Sequence, residues 1–541
     1  MSSHINTKSS PVRRVVAAEQ ALVAQAAPLA HRNFMDGVSF DLSDPFSMLR
    51  MAAASCFFGE PKFYAEKSKD DESESDELAY LTECLGQGMP PDWQGLSSTK
   101  RMEQAIDEAL ACDVEKTLQV AVALRNEDHV RTTPQVIMVR AAYHPEASGT
   151  GLVSRYAEQI LRRVDEPTTQ LAYARQAFAG KPIPNALRKA WAKFLSAQSE
   201  HSLAKYRQEA RGVKLVDVVN LVRPKATEAL GKLVRGELKL EGSTWESVIS
   251  EEGSTKEAWT KARELLVAPA RHMALLRNLV NLSEHGLLDA DTLAALEAGA
   301  AQGKQLPFRY FSAYSRLVAE GAGAPVLDAV ERCLTGSLGN LPKFKGRVMS
   351  LCDNSGSAQD ATSSELGTMP VNHIANLTGV LTGVAADEGY VGVFGDRLAV
   401  QPVRKTQSVL DQTKALNALE GSIGGGTENG IWLFFRDALK KKEHWDHVFV
   451  YSDMQAGHGG LYGTHPGEYA AYQWPQSPRY IDVAALIRKY HLEVNPNCKF
   501  YLVQVAGYTD TLAPDFYPNV VVLGGWGPGL LKFAHAMGGN A

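Results

Sequence analysis

The sequence predicts a two-part molecule, an all-helical N-terminal part followed by an α/β part built on a doubly wound, mostly parallel sheet. Between about Pro45 and about Gly336, Ala/Leu-rich segments repeat apolar positions three and four apart, the period of an amphipathic helix. Near Lys343 the texture changes to short β-branched runs alternating with helical stretches. At 541 residues the chain is also too long for one ordinary core.

Taken in order, the decapeptide MSSHINTKSS is polar and reads as disordered, within an N-terminal segment of residues 1–38. The helical part, 39–342, contains RMEQAIDEALACDVEKTLQVAVALRN and LVDVVNLVRPKATEALGKLVR, both of helical period. Gly180-Lys181-Pro182, Arg223-Pro224 and Gly242-Ser243 break the helices at intervals that suit stacked helix pairs. A helical solenoid is expected, with an irregular helical domain as the alternative because no strict repeat period is visible. The acidic run from Asp70 to Glu77 reads as a solvated loop. In 343–541 the order is GRVMSLCD, a helix through NHIANLTGVLTGVAAD, YVGVFGD, a helix GIWLFFRDALKK, HVFVYSD, a helix VAALIRKYH, KFYLVQVAG and VVVLGGW. Continuous apolar strands with helices between them imply a sheet covered on both faces, with its ligand site at the carboxyl ends of the strands.

Composition narrows the function classes. Hydrophobic residues make up 45% and charged residues 22%, near globular averages. Mean hydropathy is −0.20, and no uninterrupted apolar run reaches about 18 residues, so no membrane association is expected. Arg13 and Arg14 precede an Ala/Val run that Glu19 and Gln20 interrupt early, which does not make a targeting segment. A net charge of −5 leaves no global basic signature, so a nucleic-acid site has to be a local patch. Cys56, Cys84, Cys112, Cys333, Cys352 and Cys498 are scattered without metal-ligand spacing, which points to a reducing, cytoplasmic setting and no disulfide framework.

At the predicted strand ends stand three pieces. Asp353-Asn354-Ser355-Gly356-Ser357 puts a carboxylate and two hydroxyls on a turn ahead of a helix. Gly424-Gly425-Gly426-Thr427-Glu428 opens another helix, and the strand Val448–Ser452 ends at Asp453. Hard oxygens of this kind suit Mg²⁺ or another divalent cation that keeps several waters. The order D-x-S-x-S, threonine, aspartate resembles the metal-ion-dependent adhesion site of von Willebrand A domains. That resemblance implies Asp353, Ser355, Ser357, Thr427 and Asp453 as ligands, in a site for recognition that carries no hydrolytic base. The plainer reading, helix caps and turn glycines, explains any one piece but not all three. GGGTENG lacks the lysine of a phosphate-binding loop.

From Gly180 to Gly236 twelve basic residues face four acidic ones, a local reversal in an acidic chain. Such an excess is the footprint expected for phosphate contacts. Lys189 and Lys193 are four apart, as are Arg207 and Arg211, so each pair can share a helix face. The plain alternative is a solvated helix face. Trp191, Phe194 and Tyr206 lie among these charges; they can stack on bases, though aromatics of amphipathic helices more often belong to the core.

NALRKAWAKF followed by AKYRQEARGVKLVDVVNLVRPK resembles the Ro/TROVE family, in which an LRKA helix precedes a KYKQR-like helix and an HxKP-like turn. PFSMLRMAAASCFFGEPKFY, VRTTPQVIMVRAA, STWESVIS, MALLRNLVNL and LPFRYFSAY extend the likeness, which runs from about Ser39 to Trp526. The resemblance implies a ring of HEAT-like helical repeats closed by a von Willebrand A domain, formed by one chain and therefore monomeric. It further implies small structured Y-like RNAs on the outer basic surface and single-stranded 3' ends of misfolded RNAs in a central hole. Lys205, Arg207 and Arg211 match the basic positions of the KYKQR segment. Arg223 stands where animal members have histidine, which keeps a phosphate donor and removes the imidazole.

The expected function is RNA binding in quality control of non-coding RNA, with an exoribonuclease as a candidate cooperating protein, no DNA partner and no catalysis. A competing reading is a metal-dependent protein-interaction adaptor on a helical scaffold, which has no need of the basic cluster. An enzyme would require a nucleophile–base pair or a transition-metal cluster. His444, His447, His458 and His465 read instead as surface or loop histidines, with no cysteine or third ligand beside them.

Overall fold

The computed structural model describes the chain from residue 24 to residue 534 apart from 33–37, 56–97, 207–211, 239–243, 455–472, 506–510, 525–529 and a few shorter breaks. The polar N-terminal decapeptide, the acidic run at 70–77, Arg207, Arg211, His458 and His465 thus lie outside the described residues, as do Cys56 and Cys84.

The helical half runs through α1 (Pro45–Ser55), α2 (Ser98–Cys112), α3 (Val114–Asn126), α4 (Thr133–Tyr143), α5 (Leu152–Ile160) and α6 (Glu166–Ala177). It continues through α7 (Asn185–Ser196), α8 (Glu200–Lys205), α9 (Leu215–Val222), α10 (Glu228–Arg235), α11 (Trp245–Glu252) and α12 (Lys256–Leu266). The last of these helices are α13 (His272–Arg277), α14 (Leu279–Glu284), α15 (Ala290–Gln302), α16 (Pro307–Ala319) and α17 (Ala324–Ser337). Side-chain caps start several of them: Asp113, Ser199, Thr227, Thr244 and Thr255 each accept a backbone N–H of the first turn.

Many helices pack on the next but one: α3 on α5, α5 on α7 and α7 on α9 form one row, while α4 lies on α6. The same rule recurs further on, with α12 against α14, α13 against α15 and α15 against α17. This two-row stacking is the solenoid geometry expected from the breaker spacing. One apolar core runs from Leu49 to Leu238.

The α/β half carries a six-stranded sheet in the order β12-β11-β8-β3-β6-β7. Its strands are β3 (Phe344–Asp353), β6 (Ala386–Phe394), β7 (Leu398–Pro402), β8 (His447–Ser452), β11 (Lys499–Gln504) and β12 (Val520–Gly524). Short hairpins elsewhere supply β1 (Ala30–Arg32) with β2 (Val38–Phe40), β4 (Ala361–Ser364) with β5 (Gly367–Pro370), and β9 (Gln473–Trp474) with β10 (Ser477–Ile481). All pairings in the large sheet are parallel except that of β6 with β7, an antiparallel edge strand that the apolar runs did not reveal. Helices α18 (Val371–Ala385), α19 (Val409–Asn417), α20 (Glu420–Ile423), α21 (Thr427–Lys441) and α22 (Val483–Glu493) accompany it. Helix α18 lies unusually close to the sheet because a Cβ on Gly379 would come 2.5 Å from the Cys352 Sγ. Strand order reverses between β3 and β8, so the crevice for a ligand falls at the carboxyl ends of those two strands.

The helical array meets the α/β half at both of its ends. After α17 the chain enters β3, and one core joins Trp259, Leu275, Leu334 and other helical residues to Phe344, Phe449 and Leu381 of the sheet side. At the other end α1 packs on β12, where a Cβ on Gly524 would lie 2.0 Å from the Met51 carbonyl oxygen. Phe40 reinforces this end: its N–H donates to Thr511 O at 3.0 Å, Thr511 N–H returns to Phe40 O at 3.2 Å, and its ring sits in the α/β core. The elements therefore close into a ring. No helix among the described residues is long and apolar enough to cross a membrane.

Candidate functional site

Strand β3 delivers Asp353 to the switch point, fully buried. Its Oδ1 accepts the Ser355 N–H at 2.9 Å, which folds the serine turn back over the carboxylate. Its Oδ2 accepts the Ser452 hydroxyl at 2.5 Å from the end of the neighbouring strand. Ser355 Oγ and Ser357 Oγ stand 3.4 Å apart. Asp453 follows directly, 1% exposed, and its carbonyl accepts the Gln504 side-chain amide at 2.9 Å. Met454, next in line, is held at φ +61°, and its N–H donates to Ser452 Oγ at 3.0 Å.

The glycine-rich turn joins them. Gly356 N–H donates to Gly425 O at 3.1 Å, so the serine turn and the turn before α21 are hydrogen-bonded to each other. Gly424 adopts φ +87°, and Gly425 N–H donates to Asp396 Oδ2 at 3.1 Å. Thr427 begins α21 at this place, though its side chain lies outside the described residues.

Burial, and then the nearby negative charge of Asp453, push the Asp353 carboxyl up to about 7. Two buried carboxylates this close repel each other, and a divalent cation held by both would relieve the desolvation and the repulsion together. The donors present, two carboxylates and two hydroxyls, are hard oxygens and fit Mg²⁺ better than a transition metal. Among the described residues no group of three or more His, Cys, Asp and Glu forms another metal cluster.

Sequence reasoning missed how this turn is supported. Asn354, which sits between the ligand positions of the motif, is wholly buried, and each polar group of its side chain is used. Its Nδ2 donates to Cys352 O at 3.1 Å and to Asn376 Oδ1 at 3.0 Å, and its Oδ1 accepts Asn376 Nδ2 at 3.1 Å. The available signal was Asn372 and Asn376, four apart in the largely apolar helix run of α18.

The basic window divides into two kinds of cation. Lys193 is ion-paired with Glu158, and Lys205 with Glu246 at 3.1 Å. Lys232 is paired with Glu200 at 2.8 Å, and Arg235 with Glu237 at 2.8 Å. The net charge of the window therefore overstates its free charge, because Glu158 and Glu246 reach in from helices outside it. Lys189, Arg223 and Lys225 are exposed and carry no ion pair among the described residues. They lie on neighbouring elements. The Arg188 guanidinium donates to Leu221 O at 3.1 Å, and Ser196 Oγ to Lys225 O at 3.4 Å, joining α7 to α9 and to the loop after it. Arg223 caps α9 in the left-handed region, φ +46°.

For the aromatics the core reading holds, and for one histidine the expectation is corrected. Trp191 is fully buried, its Nε1 donating to Gln170 Oε1 at 2.6 Å, so it is core and not a stacking platform. Phe194 packs partly buried against the same core, and the Tyr206 ring has the Arg163 guanidinium over it at 4.9 Å and Lys205 Nζ at 5.9 Å. His447 is not a surface residue either; it is 4% exposed within β8, with Nδ1 3.2 Å from the Tyr501 hydroxyl.

With this geometry in place, comparison with known proteins gives one decisive result. The crystal structure of the Deinococcus radiodurans Ro (RSR) protein superposes with a TM-score of 0.54, at 15% sequence identity, over 90% of this chain and 99% of that one. The chain has the Ro fold. Near-complete coverage of both chains means that the helical array, the α/β half and their order are shared, not one half alone. Family models give no match to the sequence, and no curated protein sequence matches it, so the Ro fold persists here at an identity too low for sequence comparison to register.

Proposed function

We propose that this chain is a Ro-type RNA-binding protein that takes a small structured, Y-like RNA on its outer basic surface and single-stranded 3' ends of misfolded RNAs in the ring. Its role in this reading is non-coding RNA quality control, with an exoribonuclease as the class of cooperating protein, and no chemistry of its own. The observation that carries the reading is that Lys189, Arg223 and Lys225, on α7 and the loop after α9 of a Ro-fold chain, are among the exposed cations of the window that carry no ion pair among the described residues. Such cations bind phosphate without first breaking an internal pair, so they supply affinity that falls steeply with salt. Selectivity then rests on RNA shape and an accessible single-stranded end. Lys193, Lys205, Arg207 and Arg211 belong to the same proposed surface, the first two at the cost of displacing Glu158 and Glu246. At the switch point Asp353, Ser355, Ser357, Thr427 and Asp453 would hold a divalent cation, Mg²⁺ by its donor chemistry.

Filter binding of a structured RNA with a single-stranded 3' tail, at two salt concentrations, tests this. Lys189→Glu/Arg223→Glu is expected to weaken binding at least about 10-fold and to flatten the salt dependence by about one phosphate contact per residue. Lys193→Glu alone should cost less. Wild-type binding no tighter than that of the double variant near physiological salt removes the RNA reading and leaves the cation site, and capture of a partner carboxylate, as the function to pursue.

A further inference from the structure

The serine turn and the glycine-rich turn come from chain segments some seventy residues apart, and helix α18 touches the supports of both. Asn376, fully buried on α18, makes a reciprocal amide pair with Asn354 of the serine turn. Its second Nδ2 proton goes to Asn417 Oδ1 at 2.9 Å, at the last residue of α19. One turn earlier on α18, His373 Nε2 stands 3.3 Å from Glu420 Oε2 on α20, the short helix that runs into Gly424-Gly425. A single helix thus clamps the serine turn on one side and the approach to the glycine-rich turn on the other.

The direction of this asparagine ladder is determined by its ends. Asn354 Nδ2 must face the Cys352 carbonyl, an acceptor only, so its Oδ1 must face the Asn376 amide. That amide then points its other proton at Asn417. No member can be inverted without setting two acceptors or two donors against each other.

We infer that Asn376 is the positioning residue of the cation site: without touching the ion, it sets the spacing between the serine turn and the segment that leads to Thr427. This rests on the cation reading of Asp353 and Asp453 proposed above. Removal of the side chain leaves Asn354 Oδ1 and Nδ2 each one partner short and frees Asn417, so the two turns lose their common reference while every ligand remains. Outer-shell partners of this kind alter metal affinity about 10-fold to 100-fold.

The test is a calorimetric titration of the full chain with Mn²⁺, a probe with the same hard-oxygen preference, on wild type, Asp453→Ala, Asn376→Ala, Asn417→Ala and Thr382→Val. Thr382 is the matched control: it is buried on the same helix and makes a 2.7 Å hydrogen bond to Tyr451 away from the ladder. Circular dichroism sets a temperature at which every variant is folded. The expected result is loss of binding in Asp453→Ala, an affinity reduced about 10-fold or more in Asn376→Ala, a smaller reduction in Asn417→Ala, and Thr382→Val within about twofold of wild type. Wild-type affinity in Asn376→Ala, or equal losses in Asn376→Ala and Thr382→Val, overturns the positioning role. No Mn²⁺ binding by wild type overturns the cation reading itself. If Asn376→Ala does not fold, the half-buried Asn417→Ala decides the matter in its place: unchanged affinity there overturns the inference.

Discussion

At its C-terminal end the helical array flows into the α/β half through one continuous apolar core, whereas at its N-terminal end it docks on the same half locally, through the buried Phe40 ring and the backbone approach of Met51 to Gly524. The first junction contains Leu334, Leu341 and Phe344, with the Phe344 ring edge-on to Phe449 at 5.4 Å and to His447 at 5.6 Å. The second rests on Met51 pressed against Gly524, on the Phe40–Thr511 bridge, and on Arg50, which holds α1 to the end of α3 through Glu127 at 2.6 Å and Asp128 at 2.8 Å. A ring whose two closures differ in this way has one permanent seam and one that depends on fit. The first is stabilised mainly by area removed from water, the second in addition by a close backbone approach that only a glycine at 524 permits.

Breaking the core seam should have the largest effect. Phe344→Ala removes a fully buried ring and is expected to lower stability by roughly 3–5 kcal/mol, with the helices from α12 onward and the sheet losing urea resistance together. Two well-separated transitions with an unchanged helical midpoint would show that the shared core does not couple the halves. Gly524→Val comes next. The Cβ cannot be accommodated 2.0 Å from the Met51 carbonyl, so α1 must lift from β12 at a cost of about 1–3 kcal/mol. Small-angle scattering should report a larger radius of gyration and proteolysis a newly accessible α1; an unchanged scattering curve would mean that the edge relaxes and the seam is not controlled by that glycine. Arg50→Ala should be the mildest, about 1 kcal/mol or less, because both ion pairs are partly solvated, and 0.5 M salt should erase most of the difference. A larger, salt-independent loss would assign Arg50 a packing role instead.

Much of the architecture was legible because it is local. Helix period before residue 340 and apolar strands after it are properties of short windows, and Asp353 and Asp453 could be placed at strand ends from GRVMSLCD and HVFVYSD alone. What could not be read is what joins distant windows. Phe40 gives no sign that it will pair with Thr511, and β7, largely exposed, lacks the continuous apolar run that marks a strand. Counting charge from 180 to 236 treated Lys193 and Lys205 as free, since their partners Glu158 and Glu246 lie outside the window counted. Asn354 looked incidental between the ligands of the motif because its role depends on Asn376, which only the packing of α18 brings near.

The meeting of α1 with β12 also orders the protein's own synthesis. The helix leaves the ribosome several hundred residues ahead of the strand it must dock on, and its apolar face, Leu49, Ala52 and Ala53, can join the helical core at once. The edge beside Gly524 exists only after the sheet has formed. A nascent chain is therefore an open arc until Val520–Gly524 emerges, and RNA that meets the chain during translation would encounter the basic face before it encounters a closed ring.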